Sequence, residues 1–384
     1  MLKCKQSEFS LPTNVSYLNG SYMAPLLKSV EKVGIKGLRE KRNPTLLSPE
    51  RFFTDSEILR QEFAKLIHAP DPKSIAIIAS VSYGIASVAK NITLKPGDEI
   101  VVAAEQFPSN YYAWAKLAEE NRAEVKAISP PDTLVNRGKI WNERILDAIS
   151  PKTKVVALGN VHWADGTKFN LREIRKRTND VSALLIIDGT QSVGALPFDV
   201  QDIRPDALIC AGYKWLLGPY GSAVAYFGDA FKNGIPLEEN WINRLNSEDF
   251  SGLVTYENRY QPGALRYDVG EHSNFILVPM LIKAISQLNK WKVENVQEYC
   301  RSITQGPIER LREKGFWVED EGFRGSHLFG IRLPKNIETD KVKTALLKNK
   351  VFVSYRGSAI RVSPNVYNKE ADLNKLVKVL SKIG

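Results

Sequence analysis

The chain has 384 residues, of which 43% are hydrophobic and 25% charged, and its formal net charge is +10. This composition is typical of an ordinary globular protein long enough for two domains. No apolar run approaches the roughly 20 residues that a membrane-spanning helix requires, so we expect no contact with a membrane. The three cysteines and four histidines are widely scattered, which predicts neither a disulfide framework nor a metal cluster.

The N-terminal segment and the distribution of basic residues indicate the location of the protein and its binding partners. The segment 1–9 lacks the apolar stretch of a secretory signal, so we expect a cytoplasmic enzyme. The basic excess lies in short runs such as 172–177 and 375–378, which are typical of exposed helix faces. Because these runs are not interleaved with aromatic residues, we expect no nucleic-acid binding. A positive field suits an anionic cofactor and a carboxylate substrate.

Apolar runs and helical periodicity alternate along the chain. In chain order they predict helices over 56–68, 83–91, 110–121, 142–149 and 171–178, and strands over 75–79, 99–103, 123–128, 154–161, 183–187, 207–210 and 222–227. Strands separated by helices indicate an α/β fold with a mainly parallel, seven-stranded sheet covered on both faces. In such a sheet the ligand site lies beyond the carboxyl ends of the strands.

A loop-like segment at 240–266 interrupts this alternation. Beyond it, the patterns predict helices over 275–291, 308–313, 340–348 and 369–383, with strands near 328–333 and 360–362. These elements indicate a smaller α+β domain. We predict an N-terminal arm at 1–20, a large cofactor-binding domain at 21–255, and an interdomain segment with the small domain at 256–384.

Two strands end in side chains that together point to one cofactor. The strand 183–187 runs into Asp188, and the strand 207–210 leads to Lys214 within Ala211-Gly212-Tyr213-Lys214-Trp215. A lysine amine can form a Schiff base with the aldehyde of pyridoxal 5'-phosphate, and a carboxylate keeps the pyridine nitrogen protonated. Either residue alone would suit an ordinary loop, but the pair at one sheet edge predicts this cofactor.

A phosphate site is predicted at the start of the helix that follows strand 75–79. The run Ser80-Val81-Ser82-Tyr83-Gly84 joins the two elements. Free amides at a helix start, with the Ser82 hydroxyl, can hold a phosphate without a basic residue. The alternative is that Ser80 or Ser82 only caps the helix.

Two further strand ends bring rings to the same edge. Phe107 follows strand 99–103 and either stacks on a flat cofactor or belongs to the core. The strand 154–161 runs into His162-Trp163-Ala164-Asp165-Gly166-Thr167, which gathers polar and aromatic groups. His162 has either a cofactor or substrate role or a purely structural one.

The order and spacing of these motifs resemble the class V aminotransferase group of fold-type I pyridoxal phosphate enzymes, which includes cysteine desulfurases, isopenicillin-N epimerase-like proteins and kynureninases. The resemblance covers nearly the whole chain and is strongest over 188–194 and 211–219. It implies these roles: Lys214 is the Schiff-base lysine and catalyst, Asp188 pairs with the pyridine nitrogen, Gln191 approaches the ring hydroxyl, Phe107 stacks on the ring, and Val81 and Ser82 give amides to the phosphate.

The substrate side of the site is implied in the same way. Arg361 lies on a predicted strand between Ile360 and Val362, and the resemblance implies that it binds the substrate carboxylate through two parallel hydrogen bonds. Arg356 is either a second anion contact or a surface arginine. Many desulfurases have histidine at the position of Tyr213, whose hydroxyl can reach the phosphate instead.

The chain departs from desulfurases in its cysteines. Desulfurases carry a catalytic cysteine on a loop shortly before the arginine that corresponds to Arg361, but 335–360 contains none. Cys210 and Cys300 fall in a predicted strand and a helix flank, where inert thiols are common. We therefore predict transamination between an α-amino acid and a keto acid, with epimerase or lyase chemistry as the alternative and cysteine desulfurase less favoured. A regulator that only senses the cofactor would need a DNA-reading domain, for which we expect no room.

The segment 256–274 has too few apolar residues to pack alone. Its part 266–274 resembles the family segment that reaches into the phosphate site of the neighbouring subunit. The resemblance implies a homodimer with shared active sites. Glu271 would then lie beside the partner's cofactor, with its carboxylate pointing away from the phosphate and backbone amides making the contact. The alternative is an ordinary interdomain linker.

Overall fold

The computed structural model describes residues 2–383. The strands, in chain order, are β1 (Ser16–Tyr17), β2 (Ile75–Ile78), β3 (Glu99–Ala103), β4 (Glu124–Ile128), β5 (Thr153–Gly159), β6 (Leu184–Asp188), β7 (Ala207–Ala211), β8 (Ala223–Phe227), β9 (Trp317–Val318), β10 (Phe329–Arg332), β11 (Val351–Phe352), β12 (Ser354–Arg356) and β13 (Ala359–Val362). The α-helices are α1 (Lys28–Glu40), α2 (Arg51–Leu66), α3 (Val81–Ala89), α4 (Tyr112–Asn121), α5 (Arg137–Ala148), α6 (Leu171–Asp180), α7 (Val200–Ile203), α8 (Leu277–Trp291), α9 (Val293–Glu313), α10 (Thr339–Lys348) and α11 (Glu370–Leu380).

The central sheet has seven strands in the order β2-β8-β7-β6-β5-β3-β4. Strand β8 runs antiparallel to both of its neighbours, whereas the pairs from β7 to β4 are parallel. The predicted α/β fold with a mainly parallel, seven-stranded sheet is therefore confirmed. Among residues 2–383, none of the helices combines the length and apolarity needed to cross a membrane.

Alternate residues of these strands belong to two apolar cores, one on each face of the sheet. Val156 and Leu185 pack in one core, and their chain neighbours Val155 and Ile186 pack in the other. Because helices cover both faces, the strands are continuous apolar runs rather than alternating ones. Polar side chains can therefore gather only where the strands end.

The small domain is built around a four-stranded antiparallel sheet in the order β12-β13-β10-β9, beside which α9 packs against α11. Strand β1 pairs in parallel with β11, so the N-terminal arm joins this part of the chain. The large-sheet strands lie between residues 75 and 227 and the small-sheet strands between 317 and 362. The exact domain limits stay a prediction.

Helix α9 is the main difference from the expected elements. A helix was expected only over 308–313, and the pair Gly306-Pro307 that precedes this range is a common helix breaker. The structure has one helix from Val293 to Glu313 with the buried Pro307 inside it. Proline removes one backbone hydrogen bond, and the packing of the buried face of α9 outweighs this loss. Helix α1 was not predicted at all.

Candidate active site

Lys214 lies in the tight turn that follows β7. The turn is held by backbone hydrogen bonds from Gly212 N to Ser222 O (2.9 Å) and from Leu217 N to Lys214 O (3.1 Å). The lysine is 8% exposed, and its Nζ lies 5.6 Å from the ring centroid of Phe107 and 5.4 Å from that of Tyr213. The amine is therefore presented on a fixed loop between two aromatic rings.

Asp188 ends β6 and lines the same cavity as Lys214. Its Oδ1 accepts a hydrogen bond from Thr190 N at 3.0 Å. Burial raises the pKa of Asp188, although the hydrogen bonds from Thr190 and the charge of Lys214 act in the opposite direction. A carboxylate in this position favours a cationic partner, which a protonated pyridine nitrogen would be.

The start of α3 provides a phosphate cradle. Ser80 is the N-cap, and its Oγ accepts a hydrogen bond from Tyr83 N at 3.2 Å. The amides of Val81 and Ser82 precede Gly84, whose amide is bonded to Ser80 O, so neither has an intrahelical acceptor. Ser80 therefore caps the helix and two amides stay free for an anion, and phosphate binding by this run stays a prediction.

Ser222 adds a donor to the cavity that Val81 and Ser82 also line. Its hydroxyl is buried and has no hydrogen-bond partner among the described residues. It faces the cavity that Lys214 and Asp188 line. An unpartnered buried hydroxyl beside a helix start fits a phosphate oxygen. The donors present therefore suit pyridoxal phosphate, with Lys214 for its aldehyde, Asp188 for its ring nitrogen and the start of α3 for its phosphate.

These groups surround one cavity of about 260 Å³. The sequence-predicted residues that line it are Val81, Ser82, Phe107, Asp188, Gln191, Tyr213 and Lys214. Further lining residues that had not been selected are Ser109, Trp163, Thr190, Tyr220 and Ser222. Ser109, Trp163 and Thr190 follow the ends of β3, β5 and β6, and this position was the signal that could have found them, whereas Tyr220 and Ser222 precede β8.

Phe107 and Trp163 form one aromatic wall. Their rings meet edge to face with centroids 5.3 Å apart. The indole Nε1 of Trp163 donates to Glu105 O at 2.6 Å, which fixes the ring. Phe107 is 41% exposed, so it is a cavity residue rather than a core residue.

Gln191 lines the cavity but is largely occupied by protein contacts. Its Nε2 donates to Ser21 O at 3.1 Å, and its Oε1 accepts from Trp215 Nε1 at 3.1 Å. Its backbone carbonyl accepts from His327 Nε2 at 2.8 Å. The implied contact to the ring hydroxyl would have to use the remaining amide hydrogen, and it stays a prediction.

The two predicted arginines flank Trp163 rather than line the cavity. Arg361 is 1% exposed, and its Nη1 donates to Trp163 O at 2.7 Å. Burial lowers the pKa of Arg361 to about 9, and the charge of Arg356 acts in the same direction. The guanidinium carbons of Arg356 and Arg361 lie 5.3 and 5.8 Å from the indole centroid.

His162 is not among the residues that line the cavity. Its Nε2 faces Ala104 O at 3.2 Å, its Nδ1 lies 3.4 Å from Asp165 Oδ1, and its ring packs edge to face on Trp141. Burial would raise the pKa of Asp165, but His162 and Arg137 lower it below its usual range. The structure thus places His162 in a buried ionic cluster that positions the 161–167 turn.

Glu271 also lies outside the cavity of its own chain. It is exposed and has a left-handed backbone (φ 58°). Its neighbour Gly270 donates its amide to Glu238 Oε2 at 2.7 Å. Any contact of Glu271 with a cofactor would therefore have to come from a second copy of the chain.

The chain resembles known proteins along most of its length. The family model for aminotransferase class-V matches residues 48–378. The uncharacterized aminotransferase YcbU of Bacillus subtilis is 26% identical over 326 residues, covering 84% of this chain and 82% of that protein. A probable cysteine desulfurase of Methanothermobacter thermautotrophicus is 30% identical over 248 residues, covering 64% and 58%.

A solved structure shows the same fold. It is a mutant of C-DES with glycine covalently linked to the pyridoxal phosphate cofactor, and it matches with a TM-score of 0.87 at 18% identity, covering 99% of this chain and 100% of that one. The family match and this cofactor-bound structure indicate pyridoxal phosphate as the cofactor. The chain belongs to the class V aminotransferase family of fold-type I pyridoxal phosphate enzymes.

Proposed function

We propose that the protein transfers the amino group of an α-amino acid to a keto acid, with pyridoxal phosphate bound at Lys214. The observation that carries this proposal is the Lys214 amine in one cavity with the Asp188 carboxylate and the start of α3. Pyridoxal phosphate, when bound, supplies an aldehyde that condenses with amines and a ring that accepts the electron pair of a broken Cα bond.

Lys214 is suited to move the proton. Burial lowers its pKa to about 8, while Asp188 opposes this effect and Arg361 and Arg356 add to it. An amine with this pKa is partly neutral near pH 7, so it can take a proton from Cα and return it elsewhere. Such a return to a different carbon is the proton movement that transamination needs.

The other residues bind and orient the cofactor and the substrate. Asp188 would hold the ring nitrogen of the cofactor, and Phe107 presents a ring face toward the Lys214 side of the cavity. Arg361 offers a planar guanidinium for the carboxylate of the amino acid. These roles are part of the proposal, and they are supported by the family resemblance and by the positions of the side chains. A cytoplasmic location is also part of the proposal.

Carbon–sulfur bond cleavage is the second candidate. C-DES is described as a cystine C–S lyase, and several relatives are described as cysteine desulfurases. Desulfurase chemistry needs a reactive thiolate near the substrate. Cys210 and Cys300 are buried, burial raises the pKa of both thiols, and neither these nor Cys4 lines the cavity. This placement supports ranking the desulfurase below a transaminase, an epimerase or a lyase.

The proposal includes a homodimer with shared sites. The segment 266–274 lies along the edge strand β2, where Asp268 Oδ1 accepts from Ile77 N (2.7 Å) and Val269 N donates to Ile77 O (3.0 Å). This docking presents the exposed turn at Glu271 away from its own cavity. Val254 and Tyr256 are 87% and 93% exposed nearby in sequence, and such apolar side chains suit a subunit contact.

A single-turnover screen of amino acids on the cofactor-loaded protein tests the reaction class. We expect a good donor to bleach the visible absorption band and a keto acid to restore it. Lys214→Ala should slow the conversion by about 10²–10⁴-fold, because the proton carrier is lost. Deuterium uptake at Cα without keto acid would favour an epimerase. Rapid release of sulfide from free cysteine, abolished by Cys210→Ser or Cys300→Ser, would contradict the assignment as a transaminase.

The pH dependence of Lys214 reactivity can be measured with pyridoxal, which lacks the phosphate. Capture by the cofactor-free protein should rise with pH around a midpoint of about 8, rather than 10.5, because only the neutral amine reacts. Asp188→Asn should move the midpoint to lower pH, since the carboxylate stabilises the charged amine. Arg361→Gln should move it to higher pH. Stopped-flow absorbance with Lys214→Ala as the blank provides the measurement, and a midpoint near 10.5 would refute the buried-amine assignment.

Shared sites predict complementation between two inactive variants. Lys214→Ala removes the amine from its own site, and Glu271→Pro disrupts the turn because proline cannot adopt its positive φ. Mixed after reversible dissociation, the two should regain about half of the activity per heterodimer, since one site has both intact parts. Glu271→Gly, which keeps the turn, is the control and should stay active. No recovery in an isolated heterodimer would exclude shared sites.

A further inference from the structure

Two arginine side chains at the site carry no ion pair. Arg356 donates through Nη1 to Tyr355 O (2.7 Å), and Arg361 donates to Trp163 O (2.7 Å) and weakly to Ser354 Oγ (3.4 Å). Within residues 2–383, no aspartate or glutamate pairs with either guanidinium. The Nε atoms of both are buried without a hydrogen-bond partner there.

Among the other buried arginines of the described chain, Arg324 also lacks a carboxylate partner, but two have one. Arg60 is bonded to the buried Asp268, and Arg137 lies 2.9 Å from the buried Asp165. A desolvated charge without a counter-charge is costly. Arg356 and Arg361 both lie beside the indole of Trp163, and the charge of Arg356 acts against that of Arg361, so an anion from outside the chain would relieve this repulsion.

Trp163 connects this pair to the reaction cavity. Its indole lines the cavity together with Lys214, and the two guanidinium carbons lie 5.3 and 5.8 Å from the ring centroid. Burial lowers the pKa of Lys214, and the charges of Arg361 and Arg356 act in the same direction. Arg361 is buried, whereas Arg356 is partly exposed beside the exposed Gly357.

We propose that the substrate carries a second carboxylate, and that Arg356 binds it while Arg361 binds the carboxylate next to the reacting carbon. Each guanidinium has five N–H donors, and few of them are used by the protein, so each can hold one carboxylate. The substrate class is thus a dicarboxylic amino acid with its keto acid. This inference rests on the proposed function, because it names the substrates of that same site.

Binding of unreactive acids to the cofactor-loaded protein tests the inference. Succinate and glutarate are compared with propionate and butyrate, which lack the second carboxylate; none has an amino group, so no turnover occurs. Calorimetry at constant ionic strength should show a preference of about tenfold or more for a dicarboxylate, the value of one charged hydrogen-bonded contact. Arg356→Gln should abolish this preference and leave monocarboxylate affinity within about twofold.

Two variants separate specific from general effects. Lys343→Gln removes the same charge from a lysine that lies over the Tyr355 ring (5.4 Å) but is paired with Asp340; the preference should stay unchanged. Arg361→Gln should weaken both classes of acid. Three results would each overturn the inference. The first is that Arg356→Gln weakens the binding of monocarboxylates and dicarboxylates equally. The second is that Lys343→Gln loses the preference for dicarboxylates as Arg356→Gln does. The third is that the unaltered protein shows no preference for dicarboxylates. Failure of the protein to carry cofactor on Lys214 would instead refute the proposed function.

Discussion

The candidate site depends on a fold that holds the Asp188 carboxylate and the Lys214 amine at the edge of the central sheet where its parallel strands end. Both faces of this sheet are apolar. Burial raises the pKa of Asp188 and lowers that of Lys214, so both groups resist their charged forms. Their loops are locked together at Gly194, which has φ +103° and packs so closely on Trp215 O that a side chain would not fit. The backbone thereby fixes two buried ionisable groups close together. A cofactor with a cationic ring nitrogen would stabilise the charged form of Asp188.

Segments from the rest of the chain complete this edge. Just after the N-terminal arm, Ser21 N donates to Ser363 Oγ (3.0 Å), Ser21 O accepts from Gln191 Nε2 (3.1 Å), and Ala24 N donates to Tyr213 O (3.1 Å). Residues 21–24 therefore tie the small domain to both loops that follow β6 and β7.

Much of the large domain could be predicted because its strands are buried on both faces and so form uninterrupted apolar runs. The pair Asp188 and Lys214 could be selected from strand ends alone. Helix α9 could not be given its full length, because local rules treat Gly306-Pro307 as a break and only packing keeps the helix intact. Ser222 could not be predicted, since it precedes a strand and a hydroxyl becomes informative only when the cavity around it is known.

The family resemblance added what strand ends could not supply, above all the pairing of Arg361 with a carboxylate. It did not indicate that His162 would lie in an ionic cluster with Asp165, away from the cavity. It also could not show that Arg356 and Arg361 share one indole ring, because that contact brings β12 and β13 against the turn after β5.

Covalent mapping of the cofactor tests the assignment of Lys214 most directly. The cofactor-loaded protein is reduced with borohydride, digested, and analysed by tandem mass spectrometry. The structure predicts one modified peptide, with the cofactor on Lys214, and loss of that peptide in Lys214→Ala. A label on another lysine, or unchanged turnover in Lys214→Ala, would contradict the assignment of the active site.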